Sequence, residues 1–198
     1  HQFFLNDQWT GTANIEFSWG EQTHQVLVGD WDGDGKDTVA LRKGSQFAFS
    51  NTNPASGTPK FTMTWGLPTD TVLVGDWNGD GKDTLAIRRG NSYHVKNSLS
   101  GANTDVLFYF GKANDEVFVG DWNGDGTDTL AVRRGNEIHI SNKNKTGNTD
   151  KVITYGRAGD DLYVGSFDLS RPGRDSFAVR RGNTYFINKA IKSGDADI

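Results

Sequence analysis

The chain has 198 residues, hydrophobic residues make up only 34% of it, and it contains 25 Gly, 12 Phe, 6 Trp, 5 Tyr and no Cys. The formal charge is −4 with no isolated block of Lys or Arg, which argues against a nucleic-acid or anionic-membrane partner. Without Cys there are no disulfides, Cys-zinc sites or thiol catalysis, and no stretch is long and apolar enough to span a membrane as a helix.

In chain order, residues 2–6 form the first expected strand, and the aromatic-Gly pair Trp19-Gly20 follows. Next comes VGDWDGDGKDTVALRKG from Val28. The same string, slightly varied, restarts as VGDWNGDGKDTLAIRRG at Val74 and VGDWNGDGTDTLAVRRG at Val119, and in decayed form as VGSFDLSRPGRDSFAVRRG at Val164. The offsets are 46, 45 and 45 residues, and the pairs Trp19-Gly20, Trp65-Gly66, Phe110-Gly111 and Tyr155-Gly156 keep the same spacing. A period of this size marks a repeat architecture. The repeat fills residues 1–198, so a single repeat domain is expected, with loops near 30–38, 76–84 and 121–129 and a degenerate one at 166–176.

The third copy shows how one unit reads, with strands expected at 92–97, 105–110, 116–121 and 129–134. All four are rich in β-branched and aromatic residues and are bounded by Gly, Asn or Asp. No segment carries a helical period. Four short strands in about 45 residues is the size of a propeller blade, so the expectation is an all-β protein, a β-propeller built from about four four-stranded blades. Residues 2–6 and 184–188 occupy the same phase of the repeat. This overlap fits either a ring closed by its terminal strands or a piece of a longer array.

The loops carry the candidate chemistry. Asp30, Asp32 and Asp34 stand at loop positions one, three and five with Gly35 at six; Asp76, Asn78, Asp80 and Gly81 repeat this, as do Asp121, Asn123, Asp125 and Gly126. Alternate oxygens on a tight turn converge on a point, as a hard cation such as calcium requires, and the carbonyl at position seven adds a ligand. Plain Asx-turns joining strands are the competing reading. The first loop, with three carboxylates, is expected to bind calcium tightest. The fourth copy has Ser166, Ser170 and Arg171 at positions one, five and six, so no metal is expected there. It keeps Asp175 at position eight and the pair Arg180-Arg181. Those residues are therefore expected to serve the blade, through an Asp–Arg pair or a turn bond to backbone N–H, with one Arg of each pair packed against Asp and one solvated; a positive ring of Arg88-Arg89, Arg133-Arg134 and Arg180-Arg181 catching an anionic polymer is the competing reading.

GDWNGDGKDTLAxRRG resembles the FG-GAP/VCBS-type repeats of integrin α-subunit propellers and of secreted bacterial proteins, above all arrays appended to Gram-positive cell-wall hydrolases and surface proteins. The resemblance covers the whole chain. It implies a β-propeller with calcium-binding loops, secreted and associated with the cell wall, whose surface recognises a ligand. One departure is that Thr38, Thr84 and Thr129 stand at position nine, where a carboxylate is usual, and Leu41, Ile87 and Val132 stand at twelve. Water or the position-eight carboxylates Asp37, Asp83 and Asp128 must then complete a calcium shell.

The recurring aromatics Trp31, Trp77 and Trp122, with Phe167 in the fourth copy, are expected to pack between blades; Trp9, Phe61 and Tyr163 do not recur and are the candidates for stacking on sugar. His24, His94 and His139 lack zinc spacing, and the clustered carboxylates recur in every loop, whereas a catalytic pair is normally unique. The expected function is a non-catalytic binding module that anchors a secreted protein to a cell-wall polymer or surface glycan. Weak binding per blade would be multiplied by repetition. A calcium-stabilised adhesion module binding a protein through loops 51–60 or 142–148, or a passive spacer, are the alternatives.

Overall fold

The structure is a computed structural model that describes residues 1–8, 10–53 and 57–198. Among these residues there are seventeen strands and no helix. The strands are β1 (Gln2–Leu5), β2 (Ile15–Ser18), β3 (Gln25–Gly29), β4 (Thr38–Lys43), β5 (Gln46–Phe49), β6 (Phe61–Thr64), β7 (Thr71–Gly75), β8 (Thr84–Arg89) and β9 (Ser92–Val95). They continue as β10 (Val106–Tyr109), β11 (Glu116–Gly120), β12 (Thr129–Arg134), β13 (Glu137–Ile140), β14 (Lys151–Thr154), β15 (Asp161–Gly165), β16 (Ser176–Arg181) and β17 (Thr184–Ile187).

These strands form antiparallel meanders: β3–β6, β7–β10 and β11–β14 are four-stranded, β15–β17 is three-stranded, and β1–β2 is a separate pair. The sheets are the blades of a four-bladed β-propeller, and the inner strands β3, β7, β11 and β15 pack one against the next. A blade therefore starts at the inner strand before each Asp/Gly loop. The four strands expected in the third copy lie in two blades, because β9 and β10 close the second blade while β11 and β12 open the third.

β1 pairs with β2 and β17 with β16, so the terminal strands do not pair with each other. The β1–β2 pair instead lays Phe3, Phe17 and the following Trp19 against Val39, Leu41 and Ala48 of the first blade. At the other end, Asp197 N–H bonds the Ile187 carbonyl at 2.8 Å, as Asp105 N–H bonds Val95 and Asp150 N–H bonds Ile140 where an outer strand enters.

The sequence of the second strand in each blade explains the core. Four or five of its six residues are buried in TVALRK, TLAIRR, TLAVRR and SFAVRR, so these strands read as continuous apolar runs. A strand with a blade on each face has no solvent side to alternate with. Trp31, Trp77 and Trp122 are 5%, 4% and 2% exposed and pack into the clusters between blades. This is the inter-blade role expected of the recurring Trp.

Candidate functional site

Each of the three intact loops is organised by its first Asp. Asp30 Oδ1 accepts the N–H groups of Gly33 (2.8 Å) and Asp34 (3.1 Å), and Oδ2 accepts that of Gly35 (2.8 Å). Asp76 and Asp121 hold their loops by the same three bonds. The turn requires left-handed backbone at Gly33 (φ 79°) and Gly35 (φ 81°), a conformation that a side chain at either position would strain.

The loops differ in charge. Asp30, Asp32 and Asp34 each bring a carboxylate oxygen within 4.8 Å of the other two, and among the described residues this is the one such group of acidic, His or Cys side chains. In the second and third loops the amide at position three donates to the carboxylate at five: Asn78 Nδ2 to Asp80 Oδ2 at 3.0 Å and Asn123 Nδ2 to Asp125 Oδ2 at 2.8 Å. In the first loop position three is itself a carboxylate and accepts instead, Asn51 Nδ2 donating to Asp32 Oδ2 at 2.8 Å. An all-oxygen donor set with three carboxylates fits a hard divalent cation, and Asp30, Asp32, Asp34 and the Lys36 carbonyl are the groups that would hold it. In the fourth loop, Asp168 is bonded by the Ser170 N–H and hydroxyl and has Arg171 at 3.8 Å.

The carboxylate at position eight meets a backbone N–H, one of the two roles expected of it, but across a blade boundary rather than within a turn. Asp83 Oδ2 accepts the Asp30 N–H at 2.8 Å, Asp128 Oδ2 that of Asp76 at 2.8 Å, and Asp175 Oδ2 that of Asp121 at 3.0 Å. In return the N–H groups of Asp83, Asp128 and Asp175 bond the carbonyls of Asp30, Asp76 and Asp121. In the second, third and fourth blades position eight is thus a latch to the preceding blade, with Asp83, Asp128 and Asp175 each giving one oxygen to that blade's backbone. The latch also explains the Gly of VGD: a Cβ on Gly29, Gly75 or Gly120 would lie 2.9 Å from the next blade's Asp oxygen. The hydroxyl at position nine works inside its own blade. Thr38, Thr84 and Ser176 each donate to a carbonyl at the end of the third strand (Ser50, Lys96, Asn188) at 2.6 Å.

In the Arg pairs one member meets an Asp as expected, while the other, expected in solvent, bonds backbone carbonyls. The first member is a clamp on the next blade. Arg42 bonds the carbonyls of Leu67 and Asp70, Arg88 those of Lys112 and Ala113, and Arg133 those of Arg157 and Asp160. The second member makes a two-pronged ion pair with an Asp in the turn before its own blade's inner strand: Arg89 with Asp70, Arg134 with Asp115 and Arg181 with Asp160. Neither member forms a free positive ring. Asp70, Asp115 and Asp160 recur at a spacing of 45 residues, a signal present in the sequence that loop-centred reasoning passed over. The first blade breaks this pattern, with His24 in place of the Asp and Lys43 pairing instead with Glu21 at 2.8 Å.

These roles set the carboxyl groups apart. The Arg89 guanidinium holds Asp70 below the usual carboxylate range. Burial pushes Asp83 and Asp175 up and takes Asp128 to about 7, with the neighbouring Asp83, Asp175 and Asp76 carboxylates adding to the burial of Asp128.

Of the non-repeating aromatics, Phe61 stacks on Phe49 with centroids 4.5 Å apart and belongs to the core, which removes it as a sugar platform. Tyr163 is 40% exposed, with its ring centroid 6.0 Å from that of the exposed Tyr185. Trp9 and residues 54–56 of the 51–60 loop lie outside the described residues. In the 142–148 loop, Asn144 donates to the carbonyls of Trp77 and Asp128, and Thr146 Oγ1 accepts the Tyr109 N–H, so part of that loop joins blades. His139 faces Glu137 at 3.4 Å. No protein-family model matches the chain, and no curated protein does.

Proposed function

We propose that this propeller is a non-catalytic binding module of FG-GAP/VCBS type, stiffened by calcium in its first three loops, that holds a secreted protein to a bacterial cell-wall polymer or other surface glycan. The observation that carries the reading is how the repeated polar residues are used. The Asp latches, the Arg clamps and the Arg–Asp pairs all bond within or between blades, so the recurring ionisable groups are scaffold. What stays on the surface is repetitive and oxygen-rich, namely Asp32, Asp34, Asn78, Asp80, Asn123 and Asp125, all exposed. Register-repeated loops of this kind suit a repeating polymer, where weak contacts multiply.

The test is co-sedimentation with purified Gram-positive cell walls, with calcium and with chelator. Binding that calcium strengthens supports the module. Absence of binding in both conditions refutes wall anchoring and leaves a protein partner or a spacer role. The protein-binding reading has less support, since Asn144 and Thr146 of the 142–148 loop are already engaged between blades.

A further inference from the structure

The outer face of the first blade differs from its three counterparts along one cross-strand row. Leu41, Ala48 and Thr62 lie side by side on that face. The same row holds Ile87, His94 and Leu107 in the second blade, Val132, His139 and Val152 in the third, and Val179 and Phe186 in the last. A methyl group thus stands where the others carry His or Phe, and a hydroxyl where two of them carry Leu or Val. The ion pair that braces this region elsewhere is also absent, since His24 replaces the Asp and Lys43 reaches to Glu21 at the rim.

Beside this row lies a cleft of about 410 Å³, bounded by strands β4 to β6 of the first blade and by Trp19, Gly20 and His24 of the segment that follows β2. Trp19 and Leu41, both buried, form part of its lining, and Ala48 leaves room beside them. Lys43, Gln46 and Thr62 are exposed and line it as well. The Gln46 and Thr62 side chains make no hydrogen bond among the described residues. Pockets of a few hundred Å³ with apolar walls and a few convergent polar groups are the usual form of small-ligand sites.

Resting on the glycan-binding reading above, we infer that this cleft is a subsite for one pyranose residue of an N-acetylated glycan. A pyranose presents hydroxyls around its edge, which Gln46, Thr62 and the Lys43 ammonium can bond. An acetamido methyl group suits the space that Ala48 leaves beside Leu41 and Trp19, where apolar contact is favourable. The cleft is confined to one blade, so it sets the register of the module on the polymer, while the repeated loops contribute the general attraction.

The probe is chitotriose, titrated into the full 198-residue chain labelled with nitrogen-15. The variants are Ala48→His and Thr62→Leu, each restoring the residue that the second blade carries. Saturable shifts centred on Trp19, Ala48 and Thr62 are expected, with affinity at least about tenfold lower in each variant that still unfolds cooperatively. Absence of saturable shifts in the parent chain overturns the inference, as does equal affinity in a folded variant. Co-sedimentation with walls separates the two levels. If the parent chain binds walls and both variants bind them equally, the subsite fails while the module stands; if the parent chain does not bind walls, the module itself fails.

Discussion

Asp128 Oδ2 accepts the backbone N–H of Asp76 at 2.8 Å, and the Asp128 N–H donates to the Asp76 carbonyl at 2.7 Å. Two bonds in opposite directions join residue eight of one loop to residue one of the loop before. The blades are therefore linked through the backbone of the residue whose carboxylate organises the candidate cation site. Order in one loop is coupled to seating of the next blade.

The Asp128 carboxyl titrates at about 7 rather than 3.8, because burial disfavours its anion and three carboxylates surround it. A raised carboxyl value means the folded state holds more protons than the unfolded state between those limits. The contribution of Asp128 is then fully present below 3.8 and is lost as pH rises through about 7. Asp128→Asn keeps an acceptor for the Asp76 N–H and removes the titration. In chelator, the variant should match the parent in urea unfolding near pH 3, below the ordinary carboxyl value, and exceed it increasingly up to pH 8. Asp128→Ala leaves the N–H unpaired and should be about 1–3 kcal/mol less stable than Asp128→Asn at both pH values. An Asn variant destabilised equally at the two pH values would contradict this account of the latch.

The Arg89–Asp70 pair runs the opposite way. Hydrogen bonding to Arg89 lowers the Asp70 value, so its stabilisation is present above the ordinary carboxylate value and disappears as pH falls through the lowered one. Asp70 is 2% exposed at its side chain but Arg89 is 40% exposed, so solvent screens part of the interaction. Asp70→Asn should cost about 2 kcal/mol at pH 7, below the range for fully buried pairs, and the gap to the parent should close in acid. Chemical unfolding across that range measures it; a gap independent of pH rules out the ion pair as the source.

The clamps allow an internal comparison. Arg133 is 3% exposed at its side chain and bonds two carbonyls of the following blade, both at 2.6 Å. Its counterpart Arg180 is 43% exposed and bonds the Gly182 carbonyl in its own turn. Arg133→Met should cost about 2–4 kcal/mol by leaving buried carbonyls unpaired, and Arg180→Met less than about 1 kcal/mol. Equal losses in thermal unfolding would show that contact across the blade boundary is not what the repeated Arg supplies.

The repeat made the architecture legible, since period, strand content and aromatic recurrence all survive in the string. Three things were less visible. The blade boundary falls before the VGD strand because a sheet is defined by pairing, and a period has no intrinsic origin. The partners of Asp83 and Asp128 lie 53 and 52 residues away, one blade back, where local motif reasoning does not look. Thr38 resembled a missing ligand until its hydroxyl proved bonded to the Ser50 carbonyl. The cleft beside Ala48 was hidden for a further reason: it arises where a repeat position shrinks, and aligning loops alone does not show which face that position is on.

Asp32 offers the cleanest test of the cation reading. Asp30 holds the loop through three backbone bonds, so replacing it confounds folding with binding, whereas among the described residues Asp32 accepts only the Asn51 amide. Calorimetric titration with calcium should resolve one tighter site, at the three-carboxylate loop, and weaker ones at the loops built on Asp76 and Asp121. Asp32→Ala should remove the tight class and leave the others. Calcium at about a hundredfold over its dissociation constant should stabilise the parent by about 2.7 kcal/mol through linkage, reversed by chelator. A titration without heat, together with an unchanged melting temperature, would reduce the loops to Asx-turns. In that case the bonds from Asp30, Asp76 and Asp121 to their own N–H groups would be the whole reason those residues recur.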